Sequence, residues 1–346
     1  MKKRTKLFLV IVAICFTVAG YMAWQLFGPT VKVPEGKYFY INTGAIYQNV
    51  KDSLIKKDII KRQGLFDRMA KYLHYDRSVK AGKYMIPEGM SLVSLIRMLR
   101  AGNQSPVNLV ITKLRTKEDL AQKIGVNFEQ DSNMIIQFLN NTDSLFKYNL
   151  DTNTVLTAVI PNTYTFTWNS TPSRIFKKLF SEQEKFWNAK RKTSASALGL
   201  SVKEVYILAS IVEEETNKLE DKGKMASVYI NRMRAGMRLA ADPTVKFALR
   251  NFGLKRIYFK HLAYSSPYNT YLNSGLPPGP ICTPSIKTID AVLAAPKTNY
   301  LFFVAKPDFS GYSNFASGYT QHLIYAKAYQ NALDSVIELK KQKQEY

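Results

Sequence analysis

Length, composition and charge set broad limits on this chain of 346 residues. With 46% hydrophobic and 12% aromatic side chains, it can bury a sizeable core in roughly two domains, and a largely disordered chain is excluded. The two cysteines, Cys15 and Cys282, give no disulfide framework. Three histidines and one usable cysteine offer no metal-ligand spacing, so we expect neither a metal site nor a cofactor.

An apolar segment near the amino terminus predicts a membrane anchor. Residues 1–6 (MKKRTK) carry four basic side chains, and the 21 residues of 7–27 contain no charged one. That length matches the roughly 20 residues that cross a hydrocarbon core as a helix. Basic residues before the segment predict a cytoplasmic stub at 1–6 and an exported body. A cleaved signal peptide is the alternative, although the apolar run continues beyond the tolerable cleavage site Val18-Ala19-Gly20.

The strongly basic balance bears on partners. A formal net charge of +23 suits nucleic acid in many proteins. Behind a membrane anchor, however, the available polyanions are anionic lipid head groups and an acidic cell wall. We therefore predict no nucleic-acid partner. We predict a single-pass protein of the bacterial inner membrane, with its amino terminus in the cytoplasm and its body in the periplasm.

The sequence after the anchor begins with a linker at 28–36. An alternating, aromatic-rich stretch at 37–47 predicts a strand. Apolar residues then recur with helical spacing over 50–74. These patterns predict a strand followed by helical structure.

A second strand and a capped helix complete this block. Over 82–102, a short strand is followed by a helix that Ser91 can cap and Gly102 can end. Residues 37–106 thereby resemble a LysM-type module, in which a strand–helix–helix–strand unit cradles N-acetylated sugars in a shallow groove. A packing subdomain without a ligand is the alternative.

The next region supplies further strands and helices. A strand is predicted at 107–111, and helices are predicted at 116–124, 134–139 and about 172–191. We assign 107–346 to a mixed α+β catalytic domain. The predicted fold class is therefore α+β, with an amino-terminal transmembrane helix, a LysM-like subdomain and this domain.

An acidic helix end carries the candidate chemistry. The stretch SVKEVYILASIVEEETN opens with a capping box of Ser201 and Glu204. At about 100° per residue, Glu214 points into water, whereas Glu213 and Glu215 fall on the two edges of an apolar stripe. Three carboxylates there repel one another and oppose the helix dipole, which raises a carboxyl pKa as a general acid requires. A solvated acidic helix end is the alternative, and helix geometry does not separate Glu213 from Glu215.

Several spaced motifs surround this helix end. They are ASIVEEET at 209–216, MASVYINRMRAGMRLAADPTVKFAL at 225–249, PYNTY at 267–271, GLPPGPICTPS at 275–285 and AAPKTNYLFFV at 294–304. Together they closely resemble the MltG (YceG-like) family of endolytic murein transglycosylases. With the anchor and the LysM-like block, the resemblance spans most of the chain.

The resemblance implies a reaction and aligns Glu213 with the catalytic glutamate of the family. Its protonated carboxyl donates to the glycosidic oxygen between N-acetylmuramic acid and N-acetylglucosamine. The carboxylate then takes a proton from the muramic 6-hydroxyl, which attacks C1 and closes a 1,6-anhydro ring. No second carboxylate is required, unlike in the usual glycosidase scheme. The resemblance also implies that the protein terminates nascent strands beside cell-wall synthases (penicillin-binding proteins).

A further set of residues is predicted to bind substrate. Arg232 can pair with a substrate carboxylate, and Asp242 is expected to cap a helix at 244–249. The aromatic and amide side chains of PYNTY suit sugar faces and acetamido groups. Glu215 either tunes Glu213 or is a structural acceptor. The full set is Glu215, Arg232, Asp242, Tyr268, Asn269, Thr270, Tyr271 and Thr283.

Two other functions stay open at the level of sequence. The protein is alternatively a non-catalytic peptidoglycan-binding scaffold, in which the LysM-like block makes the contact. It is alternatively a hydrolytic muramidase that releases reducing ends. The reaction products separate all three.

Overall fold

The computed structural model describes residues 2–342, with only the backbone for Lys2 and 339–342. The predicted stub and catalytic domain extend to Met1 and 343–346, which lie outside the described residues. The described chain mixes helices with strands, as the α+β class predicts, and it divides into two compact units. Among the described residues, the first unit comprises 2–109, 127–130 and 165–171, and the second unit comprises the others. The predicted boundary between 106 and 107 stays a prediction.

The first unit is a small sheet covered by helices. Its elements are α1 (Lys2–Phe27), β1 (Tyr38–Ile41), α2 (Tyr47–Lys56), α3 (Gln63–Tyr72), β2 (Gly82–Met85), α4 (Leu92–Ala101) and β3 (Val107–Val110). Strands β1 and β2 are antiparallel, with Tyr38 opposite Met85 and Ile41 opposite Gly82. Phe39 from the sheet and Leu54 from α2 belong to one buried core. The order after α1 is thus strand, helix, helix, strand, and a further helix.

Two predictions for this unit need correction. The strand predicted at 37–47 ends at Ile41, because a turn with Gly44 in the left-handed region (φ 81°) precedes α2. The helical pattern at 50–74 is two helices. Asp58 (φ 53°) breaks it, and Ile59 behind the break is fully buried. Apolar spacing therefore continues through a turn whose side chains still enter the core.

Helix α4 is capped as predicted. The Ser91 hydroxyl accepts a hydrogen bond from Ser94 N at 3.1 Å, and Gly102 ends the helix in the left-handed conformation (φ 73°). Both devices use hydrogen bonds between residues close in sequence.

Helix α1 has the length and composition of a membrane span. The candidate span Lys3–Phe27 has a mean hydropathy of 2.3, and none of its most apolar window is buried inside the protein. An exposed apolar helix of this length suits a lipid environment.

The second unit is mainly helical. From 117 onward the elements are α5 (Lys117–Asn127), α6 (Ser132–Asn140), α7 (Thr142–Phe146), β4 (Thr163–Phe166), α8 (Pro172–Phe186), α9 (Ala189–Leu198), α10 (Val202–Glu215), α11 (Leu219–Arg234), α12 (Asp242–Ala248), α13 (Phe259–Leu262), α14 (Ile286–Leu293), β5 (Phe302–Ala305), β6 (Ser313–Ala316) and α15 (Tyr319–Gln342). Strand β5 pairs with β6. The helix predicted at 172–191 is two helices, because Asn188 caps α9 through Arg191 N.

Helix α10 lies at the centre of the second unit. The capping box forms as predicted: Ser201 N donates to Glu204 Oε2 at 2.7 Å, and Glu204 N donates to Ser201 Oγ at 3.2 Å. Every residue from 205 to 212 is buried, and α11 and α14 pack against this helix. The predicted apolar stripe with a water-facing side is therefore wrong, because neighbouring elements cover all sides of the helix.

The position of α10 predicts a large cost for a cavity in it. Leu208 is fully buried, so Leu208→Ala is expected to lower the free energy of unfolding by about 2–5 kcal/mol. Urea denaturation followed by tryptophan fluorescence measures this change. Leu219→Ala is the matched control, because Leu219 is 50% exposed. Equal losses for the two variants would contradict the central position of α10.

Candidate active site

Glu213 lies in the last turn of α10, beside the start of α14. Its Oε2 accepts hydrogen bonds from Lys222 Nζ at 2.8 Å and from Ser285 Oγ at 3.1 Å. Thr288 Oγ1 donates to the same oxygen. Within the described residues, Oε2 receives all the hydrogen bonds to this carboxyl. The other oxygen, Oε1, is left available to a ligand.

The three donors to Glu213 come from two other helices. Lys222 lies on α11 and Thr288 lies on α14, and both residues are buried. Ser285 caps α14 by accepting a hydrogen bond from Thr288 N at 3.3 Å. Lys222 also donates to Thr288 Oγ1. The carboxyl is thus oriented by contacts that join three helices.

The charge state of Glu213 differs from the expectation of a raised pKa. Burial alone would raise the pKa of this carboxyl, but hydrogen bonds from Lys222 and Thr288 and the positive charge of Lys222 lower it below its usual value. The predicted like-charge repulsion is therefore outweighed by a buried cation. In this structure Glu213 is held as a carboxylate.

Glu214 does not point into water, which corrects a second prediction. Its side chain is 17% exposed and forms ion pairs with Lys113 at 2.8 Å and Arg115 at 3.2 Å. Burial would raise its pKa, yet the hydrogen bond and charge of Lys113, with the charge of Arg115, lower it. The segment before α5 covers this side of α10, so the carboxylate is neutralised locally.

Glu215 faces a third environment. Tyr229 Oη donates to its Oε1 at 2.6 Å. Burial raises the pKa of Glu215 to about 7, with Asp242 adding to the effect and the Tyr229 hydrogen bond opposing it. Of the two roles left open by the sequence, this contact favours the structural acceptor.

Asp242 and Tyr271 form a pair near the start of α12. Tyr271 Oη donates to Asp242 Oδ1 at 2.6 Å. The predicted cap is wrong, because Asp242 is the first residue of α12 and the cap position is Ala241, which has no side-chain acceptor. The carboxylate instead orients the Tyr271 ring.

Three residues predicted to bind substrate are instead buried. Asn269, Thr270 and Thr283 are at most 1% exposed. Asn269 Nδ2 donates to the carbonyls of Leu262 and Tyr264, at 2.9 and 2.8 Å. These hydrogen bonds hold the neighbouring loop in place.

The other two buried threonines stabilise neighbouring segments in the same way. Thr270 Oγ1 accepts from Ala241 N at 3.0 Å, and Thr283 Oγ1 accepts from Leu114 N at 2.8 Å. The loop that contains Thr283 also donates from Ile281 N to Ser210 Oγ at 3.0 Å. The GLPPGPICTPS segment is therefore fastened to α10.

Arg232 and Tyr268 complete the predicted set. Arg232 Nε donates to Leu301 O at 2.7 Å, and Nη1 donates to Leu239 O at 2.6 Å. These bonds tie α11 to backbone carbonyls and leave less of the guanidinium for a substrate. Tyr268 packs on Phe247, with ring centroids 4.6 Å apart, and lines a cavity of about 80 Å³.

Sequence reasoning missed the three donors to Glu213. Lys222 precedes Met225 and Ala226 by about one helical turn. Its spacing therefore predicts that it lies on the apolar face of α11. Ser285 precedes the apolar helix α14, which is a cap signal. Neither pattern says which carboxyl these residues meet, because the contacts span many residues of sequence.

Known proteins resemble this chain in sequence. The model of the YceG-like family matches residues 39–328. A protein of Bacillus subtilis named endolytic murein transglycosylase is 29% identical over 282 residues, which cover 77% of this chain and 78% of the relative. A Streptococcus pneumoniae protein of the same name is 28% identical over 311 residues, which cover 80% of this chain and 54% of the relative. The chain therefore spans about half the length of that second relative.

A solved structure is similar as well. The crystal structure of a YceG-like protein from Listeria monocytogenes matches with a TM-score of 0.55 and 26% identity. The match covers 83% of this chain and 98% of that one. The similarity therefore extends over most of the chain.

The environment of Glu215 predicts a pH dependence of stability. Its folded-state pKa of about 7 exceeds the unfolded value of about 4.3. The folded state therefore keeps a proton that the unfolded state releases, and stability falls as pH rises between these values. Glu215→Gln, which still accepts from Tyr229, is expected to remove this fall. Melting temperatures between about pH 4 and pH 8 measure it. Parallel curves for the two proteins would contradict the assignment, and Glu220→Gln controls for loss of an exposed carboxyl.

Proposed function

This chain belongs to the YceG-like family, and we propose that it is a membrane-anchored endolytic lytic transglycosylase of peptidoglycan. The names of the Bacillus and Streptococcus relatives support this activity. The proposed bond is the β-1,4 link from N-acetylmuramic acid to N-acetylglucosamine within a strand. The proposed product carries a 1,6-anhydro-N-acetylmuramic acid end.

One observation carries the assignment of the catalytic residue. Glu213 has one oxygen fixed by Lys222, Ser285 and Thr288, while its second oxygen has no partner within the described residues. A general acid must be oriented and must also reach its substrate. Glu214 is engaged by two cations, and Glu215 is engaged by Tyr229. Three donors orient Glu213, whereas Glu215, whose Oε2 also has no hydrogen-bond partner within the described residues, has Tyr229 as its donor.

The proposed reaction needs this carboxyl twice. The protonated carboxyl gives its proton to the glycosidic oxygen as the bond from C1 breaks. The carboxylate then removes the proton of the muramic 6-hydroxyl as that oxygen bonds to C1. The proton count of Glu213 is the same before and after, and no water is consumed. This balance distinguishes the reaction from hydrolysis, which adds one water to the products.

The resting contact with Lys222 has a consequence for this reaction. Glu213 must be protonated before the bond breaks, yet its pKa is lowered in this structure. The other cations near the end of α10, Lys113 and Arg115, pair with Glu214. Lys222 is thus the positive charge that holds Glu213 ionised. We propose that Lys222 sets the pH range in which Glu213 can act as an acid.

We further propose that the first unit contributes a LysM-like contact with glycan. Its strand–helix–helix–strand order supports this likeness. A cavity of about 400 Å³ lies beside β1 and is lined partly by Asn42, Thr43 and Asn49. The loop that contains Thr43 is held by Glu129. The Glu129 carboxylate accepts hydrogen bonds from Thr43 N and Thr43 Oγ1, both at 2.6 Å. Polar side chains around an open cavity suit hydroxyl and acetamido groups.

The proposed location follows from α1. One exposed apolar helix near the amino terminus supports a single-pass anchor in the bacterial cytoplasmic membrane. Four basic residues before it favour a cytoplasmic amino terminus and an exported body. Cell-wall synthases are the proposed partners, because the substrate would be a newly made strand beside the membrane.

The catalytic assignment predicts a specific loss of products. The full chain in detergent is incubated with isolated peptidoglycan, and the products are identified by mass spectrometry. Glu213→Gln is expected to reduce anhydro-muropeptides about 100-fold or more, because it removes the transferable proton. Glu220→Gln changes an exposed carboxyl on α11 in the same way and should retain activity. Products heavier by one water would establish a hydrolase. A wild-type chain that binds peptidoglycan but yields no product would establish a scaffold.

The role of Lys222 predicts a shift in the pH profile. Lys222→Met removes the charge that lowers the Glu213 pKa, so kcat/KM should persist to higher pH than in the unchanged protein. Lys222→Arg keeps the charge and should keep the original profile. A merely structural role for Lys222 would lower activity equally at every pH. If the pH profiles of kcat/KM for Lys222→Met and the unchanged protein coincide, Lys222 does not set the pKa of Glu213.

A further inference from the structure

The end of the anchor helix forms a cavity with the body of the first unit. The cavity has a volume of about 310 Å³. Trp24 and Gln25 line it from α1, and Lys61 and Arg62 line it from the segment between α2 and α3. We propose that this cavity binds the phosphate headgroup of an anionic phospholipid. The inference rests on the proposed insertion of α1 in a membrane and is independent of the catalytic activity.

The depth of the cavity matches the headgroup layer. The apolar segment 7–27 of α1 is about 31 Å long at 1.5 Å per residue, which is about the thickness of the hydrocarbon core. Its last turns, with Tyr21 and Trp24, then lie near one membrane surface, where such aromatic residues are enriched. The cavity begins at Trp24 and extends to Thr30. Lipid phosphates occupy that level.

Among the residues that line the cavity, Lys61 and Arg62 are cations and none is a carboxylate. Among the described residues, neither Lys61 nor Arg62 forms an ion pair with a carboxylate. The nearby Asp58 is paired with Lys32 at 2.6 Å, and Lys61 interacts with it only through its charge, without an ion-pair contact within the described residues. Lys61 and Arg62 therefore offer an ammonium and a guanidinium to an anion. Phosphate oxygens accept hydrogen bonds from both groups.

Arg62 is held in place by the anchor helix itself. Its guanidinium donates to Tyr21 Oη, and its central carbon lies 5.1 Å from the centroid of the Tyr21 ring. Held arginine donors lose less freedom when they bind an anion. The chain also turns closely against the indole. A side chain at Gly28 would place its Cβ too close to Trp24 O and only 2.8 Å from Trp24 Cδ1. The cavity therefore needs a glycine directly after the helix.

The rest of the lining suits a lipid more than a free ion. Leu65 and Leu92 add apolar surface to the cavity, while the exposed side of α1 provides a face for acyl chains. A phospholipid presents a phosphate and an apolar body together. Inorganic phosphate presents only the charge and gains nothing from the apolar surface.

Native mass spectrometry of the full chain tests the proposal. The protein is released from micelles that contain either phosphatidylglycerol or phosphatidylcholine, and retained lipids are counted. We expect one phosphatidylglycerol to be retained in preference to phosphatidylcholine. Lys61→Gln/Arg62→Gln should weaken this binding about 25-fold, because each basic residue at an anionic surface contributes about fivefold. Circular dichroism verifies that the variant folds.

Control variants separate the cavity from general charge attraction. Lys56→Gln/Lys71→Gln removes the same charge from exposed lysines of the first unit that do not line the cavity, and it should retain the lipid. Tyr21→Phe leaves every charge in place and should weaken binding less than the double substitution. Unchanged binding by Lys61→Gln/Arg62→Gln, or an equal loss in the lysine control, would overturn the proposal.

Two further arms identify the ligand and the role of the anchor. Inorganic phosphate that displaces the lipid at equal concentration would show a free-anion site and reject a lipid ligand. Extraction of the chain from vesicles by alkaline carbonate would show that α1 does not anchor it, and the premise of the inference would fail. Neither outcome changes the anhydro-product assay, so failure here is distinguishable from failure of the proposed activity.

Discussion

The ion pair of Glu213 with Lys222 is the interaction on which the candidate site depends. Both side chains are largely removed from water, at 15% and 8% exposure, and their charged atoms lie 2.8 Å apart. A buried charge without a partner is strongly unfavourable, so each group requires the other. Because the two residues lie on α10 and α11 and share Thr288 of α14, this requirement fixes three helices together. Orientation of the carboxyl and packing of the unit are thus one constraint.

Three consecutive glutamates show how strongly surroundings determine charge. They are the same residue type on one helix, yet the first two have lowered pKa values, and Glu215 has a raised one of about 7. The difference follows from what covers each side of α10: a lysine and two hydroxyls, two cations, or a tyrosine. A helix buried all round can therefore present neighbouring carboxyls in different protonation states, which a helix facing water could not maintain.

The sequence predicted those features that depend on near neighbours. The caps at Ser91 and Ser201 and the left-handed Gly102 form as expected, because their hydrogen bonds join residues three or four positions apart. The break at Asp58 and the contacts of Glu213 were missed. Apolar periodicity does not distinguish a helix from a turn whose side chains are also buried in the core. The Glu213–Thr288 contact joins residues 75 positions apart. Such contacts are set by helix packing, which no local pattern contains.

Motif residues also separate into two kinds by where their polar atoms go. Asn269 and Thr283 belong to dense motifs, yet their side chains satisfy backbone groups of buried loops. A buried backbone group without a hydrogen bond costs free energy. Folding therefore restricts the residue type at these positions as strongly as substrate contact restricts it elsewhere. The specificity of a motif therefore indicates constraint and does not by itself indicate contact. Glu213 differs from them because one of its carboxyl oxygens has no partner within the described residues. A role in folding alone does not explain this unsatisfied acceptor.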